Sequence, residues 1–201
     1  PECIWISKAE PEGYRILLNA LSEVVEIDDA PKPSTRSLCL FTPIGADVTS
    51  SAVSEGVEAE RSFGVDTMFG LDGRRTLMGT PVSDPDLRYM VHAALAATGH
   101  TVTVINDSPG FVNQRVVATV VNIACDIAQQ RIANPADIDK AVTLGLGYPI
   151  GPLSMGDDIG ARQILKVLNG MLEFYGDPRY RASPWLKRRA LLGVSLLTEE
   201  S

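Results

Sequence analysis

Few residues in this chain combine the type and the spacing that catalysis requires. His92 and His100 are its two histidines, and either could act as a general base if a partner oriented it. His92 lies within a predicted helix over residues 84–98, and His100 lies just beyond its end, where a protonated imidazole favours the negative end of the helix dipole. A structural role therefore accounts for both histidines.

Two adjacent carboxylates, Asp157 and Asp158, could in principle serve as an acid and a base. Adjacent residues on a helix do not face each other, so we expect one of them to cap a predicted helix that runs from there through Leu172. The chain contains no GxSxG or P-loop sequence, and neither histidine has metal-ligand spacing to another ligand. These patterns therefore predict neither a serine nucleophile nor a metal site.

The glycines do not form a dinucleotide-binding turn. Such a turn must follow a first strand, because backbone amides have to approach the pyrophosphate at a helix N-terminus. The predicted strand at residues 3–6 is followed by Ser-Lys-Ala-Glu-Pro, without a glycine. Gly145, Gly147 and Gly151 follow a helix, and Ile150 stands where GxGxxG requires glycine. We expect this second group to form a helix end and a proline-containing loop.

Basic residues cluster near the end of the chain, at Arg179, Arg181, Lys187, Arg188 and Arg189. Such a cluster could bind an anionic ligand such as a nucleotide phosphate. It could equally be a solvated helix face, and the sequence leaves both readings open.

The composition of the chain limits the kinds of partner that it can bind. The 201 residues include 25 acidic and 18 basic side chains, for a formal net charge of −7. An acidic surface repels phosphate, so binding to nucleic acid or to anionic membranes is not expected. Three widely spaced cysteines without a CxxC pair indicate a reduced, cytoplasmic protein. Because the chain starts with Pro1 and no initiator methionine, we also expect it to be part of a longer protein.

The hydrophobic pattern divides the chain near Asn106. Short apolar strands alternate with helices before that point, which predicts an α/β sheet that is partly parallel, and only helices are predicted after it. The predicted strands cover residues 3–6, 24–27, 38–41, 63–66, 76–78 and 101–105. The longest helix starts near Pro109, and apolar residues recur on it every three or four positions, which predicts that this face is buried: Val112, Val116, Val120, Ile123 and Ile127.

Three motifs in the second half carry a resemblance to one enzyme family. They are Asn-Asp-Ser-Pro-Gly-Phe-Val at 106–112, Asp-Ile-Asp-Lys-Ala-Val at 137–142, and Gly-Leu-Gly-Tyr-Pro at 145–149 leading to Gly-Pro-Leu at 151–153. In this order they closely resemble the C-terminal helical domain of 3-hydroxyacyl-CoA dehydrogenases, whose pattern is NDxPGF, a helix, DIDxAxxxGxGYPxGP and another helix. The resemblance covers about residues 101–175, and the family's closing Gly-rich, Tyr-containing segment is not recognisable.

The resemblance implies a mixed α+β fold. Residues 1–105 would form a small, degenerate Rossmann-like α/β domain, and residues 106–201 an all-α 3-hydroxyacyl-CoA dehydrogenase C-terminal domain. This order is similar to longer bacterial enzymes of the 3-hydroxybutyryl-CoA and phenylacetate-degradation type, in which a complete catalytic half comes first. The chain is therefore expected to be the C-terminal half of such an enzyme.

The family's catalytic residues are largely missing at the corresponding positions. The family uses a His paired with a Glu as the base, a Ser before it, and an Asn in the long helix. The His segment corresponds to residues 65–70, Val-Asp-Thr-Met-Phe-Gly, and Asp66 there is no obvious replacement because a carboxylate is a poor base at neutral pH. Neither Thr42 nor Ser50 aligns with the family's serine.

One catalytic position keeps a polar side chain. The family's Asn falls four residues after the glycine of PGF, which is Gln114 here, and glutamine retains an amide donor on a longer stem. The resemblance thus implies Gln114 as the candidate catalytic residue. Ser108 and Gln114 lie near the N-terminus and in the first turns of the predicted long helix, which makes them the candidate substrate contacts. No residue is expected to bind a cofactor or a metal in this chain, although the parent enzyme would use NAD.

These expectations define a leading hypothesis. The parent would oxidise (3S)-3-hydroxyacyl-CoA to 3-oxoacyl-CoA in fatty-acid or aromatic-acid degradation, with this chain lacking catalytic competence by itself. Its partners would be the acyl-CoA substrate, held by the parent, and the N-terminal catalytic half, and a homo-oligomer is expected. The helical domain would take the place of the dimer partner of the shorter enzymes. The alternatives are a non-catalytic oligomerisation scaffold, or an enzyme in its own right that uses Gln114 and Asp66.

Overall fold

The computed structural model describes residues 3–97 and 99–200. These residues form two compact units that divide between Phe111 and Val112. The division falls a few residues after the expected boundary near Asn106, because the ring of Phe111 is buried in the core of the first unit.

The first unit contains six strands and three α-helices in its described residues. In chain order they are β1 (Cys3–Ile6), α1 (Pro11–Leu21), β2 (Ile27–Asp28), β3 (Ser37–Phe41), α2 (Val48–Glu55), β4 (Ser62–Val65), β5 (Arg75–Gly79), α3 (Pro85–Ala96) and β6 (Val102–Asn106). The second strand is shorter than its pattern predicts. Residues 24 and 25 form a turn after α1, in which both backbone N–H groups donate to Leu21 O at 2.9 and 3.0 Å.

The six strands form one mixed sheet in the order β2-β1-β3-β4-β5-β6. Strands β2, β1, β3 and β4 are parallel, β5 is antiparallel to β4, and β6 is parallel to β5. The order reverses at β1, so the sheet is doubly wound about the β1–β3 pair. The expectation of a partly parallel α/β sheet is confirmed.

Two hydrophobic clusters cover the two faces of this sheet. One lies under α1 and α3 and includes Leu17, Leu40, Phe63 and Leu95. The other lies under α2, with these buried members: Trp5, Cys39, Phe41, Val48, Ala52, Met78 and Phe111. Burial of both faces explains why β3 and β4 consist almost entirely of buried residues.

The second unit is helical. Its α-helices are α4 (Asn113–Gln129), α5 (Pro135–Leu146), α6 (Pro152–Ile159), α7 (Ala161–Tyr175) and α8 (Pro184–Leu192). The central helix is α4, which packs against the other four. None of the helices in the described part of the chain is both long and apolar enough to cross a lipid bilayer.

The buried face of α4 is not the one that its hydrophobic pattern predicts. Val112, Val116 and Ile123 are 53, 54 and 56% exposed. Small residues face inward instead, namely Ala118, Ala124 and Ala128, because they allow the neighbouring helices to approach closely. A Cβ added at Gly156 of α6 would lie 2.7 Å from Val121 Cγ1, which shows how close α6 and α4 are.

The helix predicted from Asp157 through Leu172 is in fact two helices. Gly160 separates α6 from α7 with a φ of 100°, a conformation that side-chain-bearing residues rarely adopt. The buried residues of α7 are Ile164, Val167, Leu168 and Met171, as the periodicity predicts. Helix α5 ends at Leu146, one residue beyond the predicted stop at Gly145, and Gly147 closes it in the left-handed conformation.

Candidate functional site

The motif that joins the strands to the long helix has a structural function at Asp107. Its carboxylate accepts hydrogen bonds from Val48 N–H at 2.9 Å, from Thr49 N–H at 3.0 Å and from the Thr49 hydroxyl. These are N-terminal donors of α2, which the helix itself cannot satisfy. A carboxylate also favours the positive end of the helix dipole, so Asp107 attaches the end of β6 to α2.

The next residues of the motif reverse the chain and bury its aromatic side chain. Gly110 and Phe111 have φ values of 75° and 47°, and the Gly110 N–H donates to Ala46 O at 3.3 Å. Phe111 is 2% exposed among Trp5, Met78 and their neighbours. A positive φ at a phenylalanine is strained, and the burial of its ring offsets that cost.

The two candidate substrate contacts lie on different units. Ser108, in the first unit, is half-buried and its N–H approaches Met78 Sδ at 3.1 Å. Gln114 is the second residue of α4 and is fully buried, with 0% exposure. Their roles in substrate binding stay predictions.

The segment that corresponds to the family's histidine follows β4. Asp66 is 6% exposed there, and its Oδ1 accepts a hydrogen bond from Met68 N–H at 3.2 Å. This contact closes a turn in the connection between β4 and β5. His92 lies on α3 and His100 after it, both half-buried, so neither histidine belongs to this segment.

The first turn of α1 packs closely against the residues that follow β3 and β4. A Cβ added at Gly13, in the first turn of α1, would lie 2.2 Å from Thr42 Oγ1 and 2.8 Å from Thr67 Oγ1. The glycine therefore permits α1 to approach the ends of β3 and β4. In dinucleotide-binding sheets this position belongs to the pyrophosphate.

The acidic residues at the end of β2 are held by the protein itself. Asp28 accepts hydrogen bonds from Ser34 N–H at 2.9 Å, from the Ser37 hydroxyl and from Ala30 N–H at 3.1 Å, and these bonds lower the pKa of its carboxyl. Asp29 pairs with Lys8 Nζ at 2.6 Å, which lowers the pKa of Asp29 and raises that of Lys8. A carboxylate at this position binds the ribose in dinucleotide-binding sheets. The misfit with NAD lies after β1 instead, where Ser7 to Pro11 lack the glycine turn that brings a helix N-terminus to the pyrophosphate.

The second family motif is also a structural clamp. The Asp139 carboxylate accepts hydrogen bonds from Leu153 N–H at 2.8 Å, from Ser154 N–H at 2.9 Å and from the Ser154 hydroxyl at 2.6 Å. It thus caps the N-terminus of α6 from α5. Sequence reasoning missed this role and that of Asp107, because each carboxylate caps a helix that is distant in the sequence.

Asp157 does not cap the helix that follows it, as the sequence suggests; the N-cap of α7 is Gly160. Its carboxylate accepts hydrogen bonds from the Ser195 hydroxyl and from Leu196 N–H at 2.7 Å. It therefore holds the C-terminal segment against α6, while Asp158 is exposed. These two carboxylates serve no common site.

The late basic residues do not form one uniform patch. Arg189 is 4% exposed, donates to Thr198 O through Nε at 3.0 Å, and lies 3.1 Å above the Trp185 ring; burial lowers the pKa of its guanidinium. Arg179 pairs with Asp177 at 2.6 Å, and Arg188 lies 3.6 Å from Glu200. Three of the five basic residues in this predicted cluster thus have partners within the helical unit.

The buried cysteines do not supply a nucleophile. Burial raises the pKa of the Cys39 and Cys125 thiols to about 12, so both are protonated at neutral pH. Among residues 3–97 and 99–200, no group of three His, Cys, Asp or Glu side chains could hold a metal ion.

Sequence comparison matches the second half of the chain to a family profile. The profile of the 3-hydroxyacyl-CoA dehydrogenase C-terminal domain matches residues 110–195. The clamp at Asp139 and the buried Gln114 both lie within the residues that match this profile.

The proteins that this chain resembles are considerably longer than the segments that match it. The chain is 43% identical over 98 residues to 3-hydroxyadipyl-CoA dehydrogenase of Escherichia coli K12, covering 49% of this chain and 21% of that protein. It is 37% identical over 84 residues to 3-hydroxybutyryl-CoA dehydrogenase of Clostridioides difficile, covering 42% of this chain and 30% of that protein. The chain thus spans less than half the length of these relatives.

Solved structures agree with this assignment. 3-Hydroxybutyryl-CoA dehydrogenase from E. coli K12 superimposes with a TM-score of 0.67 and 34% identity, over 76% of this chain and 31% of that one. (S)-3-hydroxybutyryl-CoA dehydrogenase from Ralstonia eutropha gives a TM-score of 0.76 at 18% identity, over 100% of this chain and 71% of that one. The second similarity shows the fold, including the Rossmann-like arrangement of the first unit.

Proposed function

We propose that this chain is the C-terminal, non-catalytic part of an NAD-dependent dehydrogenase that converts (3S)-3-hydroxyacyl-CoA to 3-oxoacyl-CoA. One observation carries the proposal: a dehydrogenase C-terminal domain at residues 110–195 follows an α/β unit without a histidine at residues 65–70. The domain indicates the reaction, and the missing base assigns the chemistry to another part of the enzyme.

The NAD cofactor would also bind in the catalytic part of the enzyme and not in this chain. The parent enzyme would need NAD as the hydride acceptor for this oxidation. In this chain Gly13 brings α1 against Thr42, and the residues after β1 lack the glycine turn that a dinucleotide-binding sheet places there. No step of the reaction is therefore assigned to the first unit.

The contribution of this chain to the substrate would come from Ser108 and Gln114. A serine hydroxyl and a glutamine amide can both donate hydrogen bonds to a thioester carbonyl or accept one from a hydroxyl. Gln114 lies in the first turn of α4, where the helix dipole adds to the stabilisation of negative charge. Such groups orient a substrate without transferring its proton.

A second candidate function is an oligomerisation scaffold without a role in catalysis. The aliphatic residues that α4 exposes favour it, because such a face is typical of a helix that packs against another protein. In either case we expect a cytoplasmic protein of fatty-acid or aromatic-acid degradation that assembles as a homo-oligomer.

NADH oxidation with acetoacetyl-CoA tests the proposal. The purified 201-residue chain should show no turnover, and the full-length enzyme should be active. In the full-length enzyme, Gln114→Ala should raise KM or lower kcat by about tenfold, since one hydrogen bond to substrate is worth about 1.4 kcal/mol. Gln130→Ala, at the exposed end of the same helix, is the matched control and should leave both constants unchanged.

Two outcomes would count against this assignment. Turnover by the isolated chain that Gln114→Ala or Asp66→Ala abolishes would show a complete active site within it. A full-length enzyme that binds neither CoA nor its acyl esters would favour the scaffold.

A further inference from the structure

Aromatic rings and arginine side chains form one cluster at the C-terminal end of α7. The Phe174 and Tyr175 rings lie edge to face with 5.1 Å between their centroids, and the Tyr180 ring lies 5.6 Å from that of Tyr175. The Arg115 guanidinium lies 5.3 Å from the Tyr175 ring centroid and donates to the Tyr175 hydroxyl at 2.8 Å. The Arg179 guanidinium lies 5.9 Å from the Tyr180 ring centroid. We call these five residues the aromatic–arginine cluster.

The cluster exposes both ring surface and positive charge. Phe174 is 54% exposed and Tyr175 is 41% exposed. Arg179 is exposed and pairs with Asp177, while the neighbouring Arg181 side chain is exposed and forms no ion pair in the described part of the chain. Exposed rings bordered by arginine side chains are typical of a binding surface.

The residue types in the cluster define the ligand that it fits. An exposed aromatic ring offers a face on which a nucleotide base can stack, and guanidinium groups donate paired hydrogen bonds to phosphate oxygens. A ring system alone would need no arginine and a free phosphate would need no ring, so the combination fits a nucleotide. A nucleic-acid strand fits less well, because the net charge of −7 repels a long polyanion more strongly than a single nucleotide.

The cluster also begins next to the candidate substrate contact. Arg115 directly follows Gln114 in the first turn of α4, and its guanidinium contacts Tyr175. Acyl-CoA, the substrate class in the proposed function, has its thioester at one end and an adenine nucleotide with phosphate groups at the other. The long pantetheine arm between them lets one molecule contact both Gln114 and the cluster.

We infer that the aromatic–arginine cluster binds the adenine nucleotide of CoA. The base stacks on the exposed Phe174 and Tyr175 rings, and the phosphate groups accept hydrogen bonds from the Arg179 and Arg181 guanidinium groups. The inference rests on the proposed function, because that function supplies acyl-CoA as the ligand. It gives the helical unit a role in substrate affinity that is separate from the chemistry at the thioester.

Isothermal titration of the 201-residue chain with adenosine 3′,5′-bisphosphate, a fragment of the nucleotide end of CoA, tests the site directly. We expect a Kd below about 1 mM. Phe174→Ala should raise this Kd about fivefold or more, because a ring that stacks on the base is lost. Arg181→Gln should raise it about fivefold as well, because a charge-assisted hydrogen bond to phosphate is lost.

Two matched controls carry the same kinds of change away from the cluster. Leu192→Ala shortens a 75% exposed apolar side chain at the last residue of α8. Arg131→Gln removes an exposed cation just after α4, about 24 Å along the helix from Arg115. Both controls should bind the bisphosphate within about twofold of wild type.

Kinetics of the full-length enzyme separate the nucleotide from the thioester. Phe174→Ala should raise KM for acetoacetyl-CoA about fivefold and leave kcat unchanged, because the ring contacts the nucleotide equally before and during the reaction. KM for acetoacetyl-pantetheine, which lacks the nucleotide, should not change. An equal rise in both KM values would overturn the inference.

The binding measurements distinguish the ligands and the two proposals. A Kd for the bisphosphate above about 1 mM, or wild-type affinity in Phe174→Ala and Arg181→Gln, would refute the nucleotide site even in an active enzyme. NAD that binds more tightly than the bisphosphate, and more weakly in both variants, would assign the cluster to the dinucleotide instead. Bisphosphate binding that both variants weaken, in a full-length protein that oxidises no 3-hydroxyacyl-CoA, would refute the proposed function alone.

Discussion

Gly151 and Asp139 are so close that a methyl group could not be placed between them. A Cβ added at Gly151 would lie 2.2 Å from Asp139 Cγ, and the Asp139 carboxylate is fixed by its three hydrogen bonds to the start of α6. The glycine before Pro152 therefore allows α5 to cap α6. The contact explains structurally why an aspartate at 139 and a glycine at 151 occur together.

Gly151→Ala should destabilise the helical unit by about 1–3 kcal/mol, because the carboxylate cannot move without losing its hydrogen bonds. Urea unfolding followed by circular dichroism measures the change. Gly145→Ala is the matched control: nothing lies within 4 Å of an added Cβ there, and alanine is the better helix former. That control should be neutral or slightly stabilising. Equal destabilisation by both substitutions would contradict the clamp.

Asp107→Ala should destabilise the α/β unit by about 1–3 kcal/mol, since it removes the carboxylate that accepts from the first two N–H groups of α2 and leaves only the Asp47 cap. Chemical unfolding of the variant against the wild-type chain measures this loss. Asp158→Ala changes an exposed carboxylate of α6 and should stay within about 0.5 kcal/mol of wild type. An Asp107→Ala protein of unchanged stability would show that α2 needs no cap from β6.

The stability of the α/β unit should fall in acid through Asp28. Hydrogen bonds from Ser34 N–H and the Ser37 hydroxyl lower the pKa of this carboxyl below its ordinary value of 3.8. A lowered folded-state pKa gives a contribution that is complete above the unfolded-state pKa and is lost as the pH falls through the folded-state value. Unfolding midpoints should therefore decline below about pH 4.

Two variants identify Asp28 as the source of this decline. Asp28→Asn should flatten the acid slope, and Ser37→Ala, which removes one of the hydrogen bonds, should give an intermediate slope. An Asp28→Asn protein with the wild-type slope would assign the acid sensitivity to other groups.

Arg131→Gly should stabilise the chain by about 0.5–1 kcal/mol. Arg131 follows the end of α4 with a φ of 56°, a left-handed conformation that costs a side-chain-bearing residue energy and costs glycine little. Thermal unfolding measures the gain. Gln130→Gly, one residue earlier at a φ of −83°, should be destabilising instead. A loss of stability in Arg131→Gly would mean that the arginine side chain contributes more than its strain costs.

Several local features could be predicted from the sequence because they depend on neighbouring residues. A capping aspartate at Asp84 and the apolar spacing that follows predict α3, and Asp84 does cap it, with its side chain accepting from Asp86 N–H and Leu87 N–H. The run at residues 38–41 predicts β3, which covers residues 37–41. Short-range backbone preferences and the period of the side chains decide such elements.

The face of α4 shows where this reasoning fails. Periodicity identifies a row of aliphatic residues along one side of the helix, but it does not show whether that side is buried within the described chain. The structure turns the small residues inward and leaves Val116 and Ile123 exposed. Close packing of α4 against four other helices favours small side chains on that face.

The sequence by itself determined the class of the fold, the division into an α/β and a helical half, and the resemblance of the second half to a dehydrogenase domain. Each of these depends on the order and spacing of residues along the chain. Only the tertiary structure decided that Asp107 and Asp139 cap distant helices, and that Gly13 packs against Thr42. No repeating pattern in the sequence links the two residues of any of these contacts, so the contacts form only when the chain folds.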